Sequence, residues 1–391
     1  MTSPKRKIAI FSALFAPSVG GVEKYTESLA RALAQRGNEV TVVTSRIGSS
    51  SLREEIGEYA RVVRLPSWSL LDGRLPLPRR SGCFATLMEE LEFWEPDYVI
   101  VNTRFYGLSI AGLDFAKRMG VIPVLIEHGS AYITLGNDAV DKILHAYERW
   151  MTWRVKRFDP QFYGVSAKSC EWLHHFGIEA SGVLSNAIDA RAFRELSSGR
   201  DFRHEYGVPE DAMLVAFVGR LIPEKGVSAL PQTARILRDD PSIVFVVAGE
   251  GPERGALERS GLPNIVLVGG LDPRDVSALL SQSDVFLLPS RSEGFATSLL
   301  ESAAWGVPSL VTDVGGAREL QGPDAPFLIM DEASPERIVD GLRWVRDHRS
   351  EAESAGASAL ARVEDCYSWE ETARLTELAC ECANGCEGKG A

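Results

Sequence analysis

Two successive doubly wound α/β units are predicted by three observations. Short apolar runs rich in Val, Ile, Leu and Phe alternate with amphipathic stretches, the pattern that parallel strands with crossover helices produce. The alternation breaks in a polar, irregular stretch around residues 186–207 and then restarts. The chain has 391 residues, enough to bury two cores of ordinary domain size.

The elements follow in order. Residues 7–14 read as a strand and 22–36 as an amphipathic helix that stops at Gly37 and Asn38. Residues 39–44 form the next strand, so the chain opens with a βαβ unit. Lys5, Arg6 and Lys7 ahead of the first apolar run imitate a secretory leader. That run is short and leads directly into the helix it must support, so it reads as a buried first strand. Strands are expected at Tyr98–Asn102, 121–127 and 162–165. The second series gives strands at Met213–Val218, Ile243–Ala248, 265–268, Val285–Leu288 and 308–312. Helices are expected at 228–239, 274–281 and from about Phe295 to Trp305. No short internal repeat is visible, which excludes a solenoid.

Composition narrows the function classes. The chain is 45% hydrophobic and 25% charged, an ordinary globular balance. No apolar run reaches the roughly 18 residues needed to span a bilayer. The net charge of −12 is uneven: residues 1–190 hold 22 Lys+Arg against 21 Asp+Glu, leaving 20 against 33 to the remainder. So acidic a second half argues against a nucleic-acid partner, whereas the near-neutral first half leaves room for an anionic membrane surface. Cys83, Cys170 and Cys366 are scattered, as suits a reducing cytoplasm. Cys380, Cys382 and Cys386 cluster near the end, without the spacing of a usual zinc site, and read as part of a frayed Gly-rich tail.

Ligands of open α/β sheets sit beyond the carboxyl ends of the strands. Gly20, Gly21, His128, Arg220, Lys225, Gly249, Glu250, Glu293 and Gly294 all fall at such ends, from both halves. A ligand in a cleft between two facing domains would touch them all. Gly20 and Gly21 end a loop before the first helix, where a ligand can approach the backbone and helical N–H groups favour an anion. The loop is not GxGxxG, so no dinucleotide fingerprint is present. Arg220 and Lys225 flank a loop after Gly219, and a guanidinium fork with an ammonium suits a diphosphate. Glu293 and Glu301 stand eight positions apart, one in a loop and the other inside the helix that follows. The amides of Gly294, Phe295 and Ala296 would then form that helix's N-terminus, and the two carboxylates would accept hydrogen bonds from sugar hydroxyls at two parts of one long ligand.

Taken together, these segments resemble a retaining glycosyltransferase of family 4, with the two-domain GT-B fold. The resemblance is carried by GGVE at 20–23, EHG at 127–129, GVS at 164–166, NAID at 186–189, GRL at 219–221, EKG at 224–226, GEGP at 249–252 and the Glu293/Glu301 pair. It implies that Arg220 and Lys225 hold the donor diphosphate, that Glu301 binds the ribose hydroxyls, and that Glu293 with the amides of Gly294, Phe295 and Ala296 binds the donor hexose. It further implies that Gly20 and Gly21 approach the phosphate or sugar, that His128 lies beside the reacting carbon, and that Leu271 lies against the base. Ala187 and Ala296 stand where the family often has glycine. The implied domains are 1–190, completed by a terminal helix at about 364–391, and 191–363. In this arrangement Trp369 is a packing anchor.

The expected activity is transfer of a hexosyl group from a UDP- or GDP-sugar to a sugar or lipid-linked acceptor, in cell-surface polysaccharide or glycolipid synthesis. No Asp-x-Asp motif is present. No cofactor and no divalent metal are therefore expected, with the nucleotide-sugar as co-substrate and protein cations at the leaving group. Two other readings use the same sites: a sugar-nucleotide 2-epimerase, and a nucleotide-sugar binder without turnover. Residues 144–158 mix aromatics with four Lys/Arg and a histidine. They read either as an amphipathic helix packed under the sheet or as an interfacial helix that would hold a cytoplasmic enzyme on the inner membrane face.

Overall fold

The computed structural model describes residues 5–385, apart from 19, 49, 58–59, 71–72, 74, 133, 135–137, 324 and 326–327. The chain divides into two compact units, Met1–Asn186 with Trp369–Ala391, and Ala187–Ser368. The first crossing thus falls within the NAID segment, and the second immediately before Trp369.

In the first unit the strands are β1 (Lys7–Ser12), β2 (Glu39–Ser45), β3 (Arg53–Ile56), β4 (Ala60–Leu65), β5 (Ser67–Leu70), β6 (Leu75–Pro78), β7 (Tyr98–Asn102), β8 (Val124–Glu127), β9 (Gln161–Gly164) and β10 (Gly182–Val183). Eight of them form one sheet in the order β10-β9-β8-β7-β1-β2-β4-β3, parallel but for the edge strand β3. β1 sits at the centre, paired with β2 and β7. Helices cover both faces there, so Ile8, Ala9 and Ile10 are wholly buried, and a continuous apolar run results instead of an alternating one. The β5–β6 hairpin stands apart from this sheet. Neither hairpin is visible in the hydrophobic periodicity, since REEI and LPLP carry no apolar alternation.

The terminal helix Trp369–Gly385 packs on the helix Gly21–Gln35. Arg36 and Asn38, just past the end of that helix, meet the Glu377 carboxylate at 2.8 and 2.5 Å. The Asn384 side chain satisfies both the N–H and the C=O of Ile122, at 2.7 and 3.1 Å. The expectation of a frayed tail is corrected here: the helix runs through Cys380 and Cys382 to Gly385, because its Ala373, Ala379 and Cys380 face is buried. Cys386 lies outside the described residues.

The second unit holds β11 (Met213–Val218), β12 (Ile243–Ala248), β13 (Ile265–Gly269), β14 (Val285–Leu288), β15 (Ser309–Thr312) and β16 (Ile329–Met330), in the order β13-β12-β11-β14-β15-β16, all parallel. The helix expected at 228–239 is shorter: a 3-10 turn at Val227–Ala229 precedes an α-helix at Leu230–Ile236 with Pro231 in its first turn. Pro231 has no N–H to give to a preceding helical turn, which fixes the start there.

Each sheet has one point where the chain reverses its direction of growth: between β1 and β7 in the first unit, and between β11 and β14 in the second. At such a point the two neighbouring loops diverge to opposite faces and leave a crevice at the carboxyl ends of the strands. The candidate site residues lie on loops that leave these strands or their neighbours, except Leu271, which follows β13, and Glu301, which lies in the helix after β14.

Candidate functional site

In the second unit two loops meet at the switch point. The loop after β11 carries Arg220 and Lys225, and the loop after β14 carries Glu293. They are joined by backbone, with Arg291 N–H donating to the Glu224 carbonyl at 2.8 Å. Gly226 makes this approach feasible. Its φ is +70°, and an added Cβ would stand 1.8 Å from the Pro289 carbonyl oxygen, so only glycine fits.

Lys225 and Glu293 face each other: Nζ lies 2.5 Å from Oε1, with the side chains 19% and 11% exposed. Ser290 Oγ donates to the same carboxylate oxygen at 2.7 Å. The sequence assigned these residues to separate parts of a ligand; the structure makes them one charged pair. Arg220 is exposed, and its guanidinium forms no ion pair among the described residues. Among those residues the loop therefore presents one free cation and one held by a carboxylate.

The helix after β14 begins later than expected. It spans Thr297–Ala304 with Ala296 as its N-cap, so Gly294, Phe295 and Ala296 belong to the approach loop and not to the first turn. Phe295 is what delays it. Its ring is 7% exposed, stands 5.3 Å from Tyr367, and fills the space over Gly316, where a Cβ would lie 2.2 Å from the ring. Phe295 is a packing anchor for the loop. Glu301 lies inside the helix, half-buried. Leu271 is half-buried between Gly270 and Asp272, the latter capping the helix Pro273–Ser281.

In the first unit, Gly20 is the N-cap of the helix Gly21–Gln35. A Cβ at Gly21 would meet nothing within 4 Å, so the helix start is open there. His128 follows β8. Its Nε2 lies 3.1 Å from Asn102 Oδ1, at the end of β7, and its ring meets Tyr25 edge-on at 4.6 Å. The contact assigns the ring N–H to Nε2, donating to Asn102, because an amide oxygen only accepts. Nδ1 is then the nitrogen left to accept a proton or a hydrogen bond. Burial pushes the imidazole down to about 3, so His128 is neutral across the working pH range. Asn102 donates onward to Thr26 Oγ1 at 2.8 Å, and Trp369 packs on Tyr25 at 5.4 Å.

Sequence reasoning gives no role to the residues beneath His128: Glu127 stands unassigned in the EHG segment, and neither Arg104 nor Glu148 is singled out. Arg104 is 1% exposed, and its guanidinium forks between Glu127 and Glu148, which are also buried. Glu127 precedes His128, and its second oxygen accepts the Gly129 N–H at 2.9 Å. Thr103, between Asn102 and Arg104, has φ +63°, a strained value for a β-branched residue. The one signal available was an Arg two residues past an apolar strand; nothing local paired it with either glutamate.

The helix Asp138–Lys156 buries Glu148, Met151, Thr152 and Val155 and exposes Ile143, Trp150 and Trp153 at 70, 49 and 57%. Arg154 and Arg157 lie over the Trp150 and Trp153 rings at 5.1 and 5.2 Å. One face of this helix is thus buried, and the other carries exposed aromatics beneath arginines. No helix among the described residues is long and apolar enough to cross a membrane, and no group of three His, Cys, Asp or Glu residues among them is placed to hold a metal ion.

Two Rossmann-like units, each with charged or glycine-bearing loops at its switch point, define a GT-B type glycosyltransferase. Residues 19–192 match the family described as Glycosyltransferase Family 4, and residues 199–362 match the one described as Glycosyl transferases group 1. The chain belongs to the family 4 type of glycosyltransferases. It is 28% identical over 374 residues to a GDP-mannose-dependent alpha-mannosyltransferase of Mycolicibacterium smegmatis, covering 91% of this chain and 93% of that one. It is 26% identical over 396 residues to a glycogen synthase of Mycobacterium tuberculosis, covering 92% and 90%. A phosphatidylinositol N-acetylglucosaminyltransferase chain of Arabidopsis thaliana is 24% identical over 400 residues, with 99% of this chain and 84% of that one covered. Among solved structures, Anabaena HepE in complex with UDP-glucose shares the fold, with a TM-score of 0.71, 16% identity and coverage of 96% of this chain and all of that one.

Proposed function

We propose that the protein transfers a hexosyl group from a UDP- or GDP-sugar to a sugar or lipid-linked acceptor, with retention at the anomeric carbon and without a divalent metal. The observation that carries this is the loop pair at the second switch point, where Lys225 pairs with Glu293, Arg220 is exposed on the same loop as Lys225, and Glu301 lies on the helix that follows Glu293. Breaking the anomeric C–O bond leaves negative charge on the departing diphosphate. Two protein cations meet that charge where other enzymes use a metal ion. Glu301 would accept the ribose hydroxyls, and Glu293 those of the transferred sugar. On the first unit, the helix start at Gly20 and Gly21, open at Gly21 and covered by the Glu23 carboxylate at Gly20, would take phosphate or sugar, and the neutral His128 would offer Nδ1 to a sugar hydroxyl. No carboxylate stands out as a covalent nucleophile. The acceptor oxygen would therefore attack from the face the diphosphate leaves, giving its proton to a departing phosphate oxygen.

The names of the relatives support a nucleoside-diphosphate donor, GDP-linked in one and UDP-linked in another. A relative named for phosphatidylinositol and the exposed aromatic–cation face of helix Asp138–Lys156 support a lipid-linked acceptor met at an anionic membrane surface, on its cytoplasmic side. Cell-surface polysaccharide or glycolipid synthesis is the setting that fits.

The test is thermal stability against UDP, GDP, ADP and their sugar conjugates, in chelator, with Glu301→Ala as control. One nucleotide raising the melting temperature, and losing that effect in the variant, is the expected result. NMR of the product anomer then reads retention directly. A melting temperature indifferent to every nucleotide, or a donor rearranged without acceptor, would overturn the proposal.

A further inference from the structure

The donor reading uses His128 and leaves unexplained why three ionisable side chains are buried beneath it. Arg104, Glu127 and Glu148 come from the turn after β7, the end of β8 and the middle of helix Asp138–Lys156, and all three are almost inaccessible to solvent. One guanidinium faces two carboxyl groups there. Such an arrangement is weak evidence for stability, because apolar side chains of similar volume would do as well or better. A role in fixing geometry accounts for it more directly.

The connections run one way. Glu148 holds Arg104 Nη2 and Glu127 holds Nη1, so the guanidinium plane is fixed at both ends. The Phe176 ring closes over it, with Cζ 4.2 Å from the centroid. The Glu127 carboxylate, oriented by Arg104 through Oε2, uses Oε1 to take the Gly129 N–H at 2.9 Å. Its backbone carbonyl accepts from Val165 at 3.0 Å. The peptides on both sides of His128 are thereby clamped. On the other side Asn102 fixes the ring through Nε2, and Thr103 N–H bonds the Ile126 carbonyl at 2.8 Å. The strained backbone at Thr103 is what turns the chain so that Asn102 and Arg104 serve opposite sides of one turn.

We propose that Arg104 is a positioning residue for transfer, which, through Glu127 and with Glu148 as its second anchor, sets the His128–Gly129 turn against the donor sugar. The proposal rests on the reading of His128 given above. It requires the fork specifically: a lysine ammonium is a compact point charge on a flexible stem and cannot hold two carboxylates in one fixed plane. Displacement of a contacting group by about 1 Å can slow a reaction about a hundredfold, so a change in the clamp should appear in turnover.

The experiment compares the full-length wild type with Arg104→Lys, Glu148→Gln and His128→Asn, using UDP-glucose and GDP-mannose as donor probes. UDP and GDP affinity is measured alongside turnover, and exchange of the Gly129 amide is followed by NMR. Arg104→Lys and Glu148→Gln should leave nucleoside diphosphate affinity unchanged, lower kcat by about tenfold to a hundredfold, and speed Gly129 amide exchange. If Arg104→Lys does not fold, Glu148→Gln decides alone, since it keeps volume and an acceptor for Nη2. Folded variants with wild-type kcat and a protected Gly129 amide would overturn the proposal. So would a loss of activity carried wholly by nucleotide affinity. His128→Asn separates the two ideas: wild-type kcat in that variant refutes the His128 reading, whereas a slow His128→Asn beside a normal Arg104→Lys refutes the positioning role alone.

Discussion

Replacing Lys225 with Met and Glu293 with Gln, singly and together, gives predictions of opposite sign. The two charges are 2.5 Å apart and mostly shielded from solvent. Removing one partner of a fully buried pair costs about 3–5 kcal/mol, and of an exposed pair about 0–1 kcal/mol. A pair at this depth falls between, so Lys225→Met should destabilise the second unit by about 1–3 kcal/mol, with Glu293 left to Ser290. For a unit of this size that is a fall in melting temperature of about 3–10 °C. The double variant should recover most of it, because no unpaired charge is left. Ligand binding separates the partners further. A lost charge-assisted hydrogen bond to phosphate is worth about 1.5–3 kcal/mol, so Lys225→Met should weaken UDP or GDP about tenfold to a hundredfold. Glu293→Gln removes the carboxylate competing for Lys225, so the free nucleoside diphosphate should bind as tightly as before or more so. Transfer by that variant should still fall by about a hundredfold, since the sugar loses its charged acceptor. Calorimetry with UDP and GDP, and initial rates under donor saturation, read both effects. If Glu293→Gln weakens the nucleotide as Lys225→Met does, or if Lys225→Met alters neither affinity nor rate, the separation of roles at this site is wrong.

Two further predictions concern the first unit. Burial lowers the His128 imidazole to about 3, against an ordinary value near 6.5 in the unfolded chain. The unfolded state therefore takes up the proton first, and the stability linked to His128, complete above about pH 6.5, should fall as pH drops toward 3. Urea midpoints of the wild type should decline more steeply over that window than those of His128→Asn; parallel curves would refute the assignment. The exposed Trp150 and Trp153, each beneath an arginine, should carry the chain to vesicles of anionic lipid at low salt. Flotation should be lost in the double alanine variant and in high salt, and equal flotation of both proteins would exclude this face.

The strands were legible because their burial is two-sided. Met213–Val218, Ile243–Ala248 and Val285–Leu288 begin and end where the apolar runs do, since a central parallel strand admits no polar position. Helix starts were less legible where a tertiary contact decided them. SEGFATSLLES looks helical from Phe295 onward, but the Phe295 ring sits over Gly316 and against Tyr367, and the helix waits until Thr297. The same reason explains what was seen and missed at the site. Lys225 and Glu293 could each be marked as functional from a glycine-bearing loop, yet their pairing is a contact across 68 positions. Arg104 meets partners 23 and 44 positions away, and its own neighbours in the chain describe only the end of a strand. A motif records what a loop presents to a ligand, because that depends on a few adjacent residues. What holds the loop still is drawn from separate elements, and here it is a guanidinium that no ligand in the proposed reaction touches. Substitutions of Arg104 or Glu148 beneath the His128 turn should therefore alter turnover while leaving every recognisable motif of the family intact.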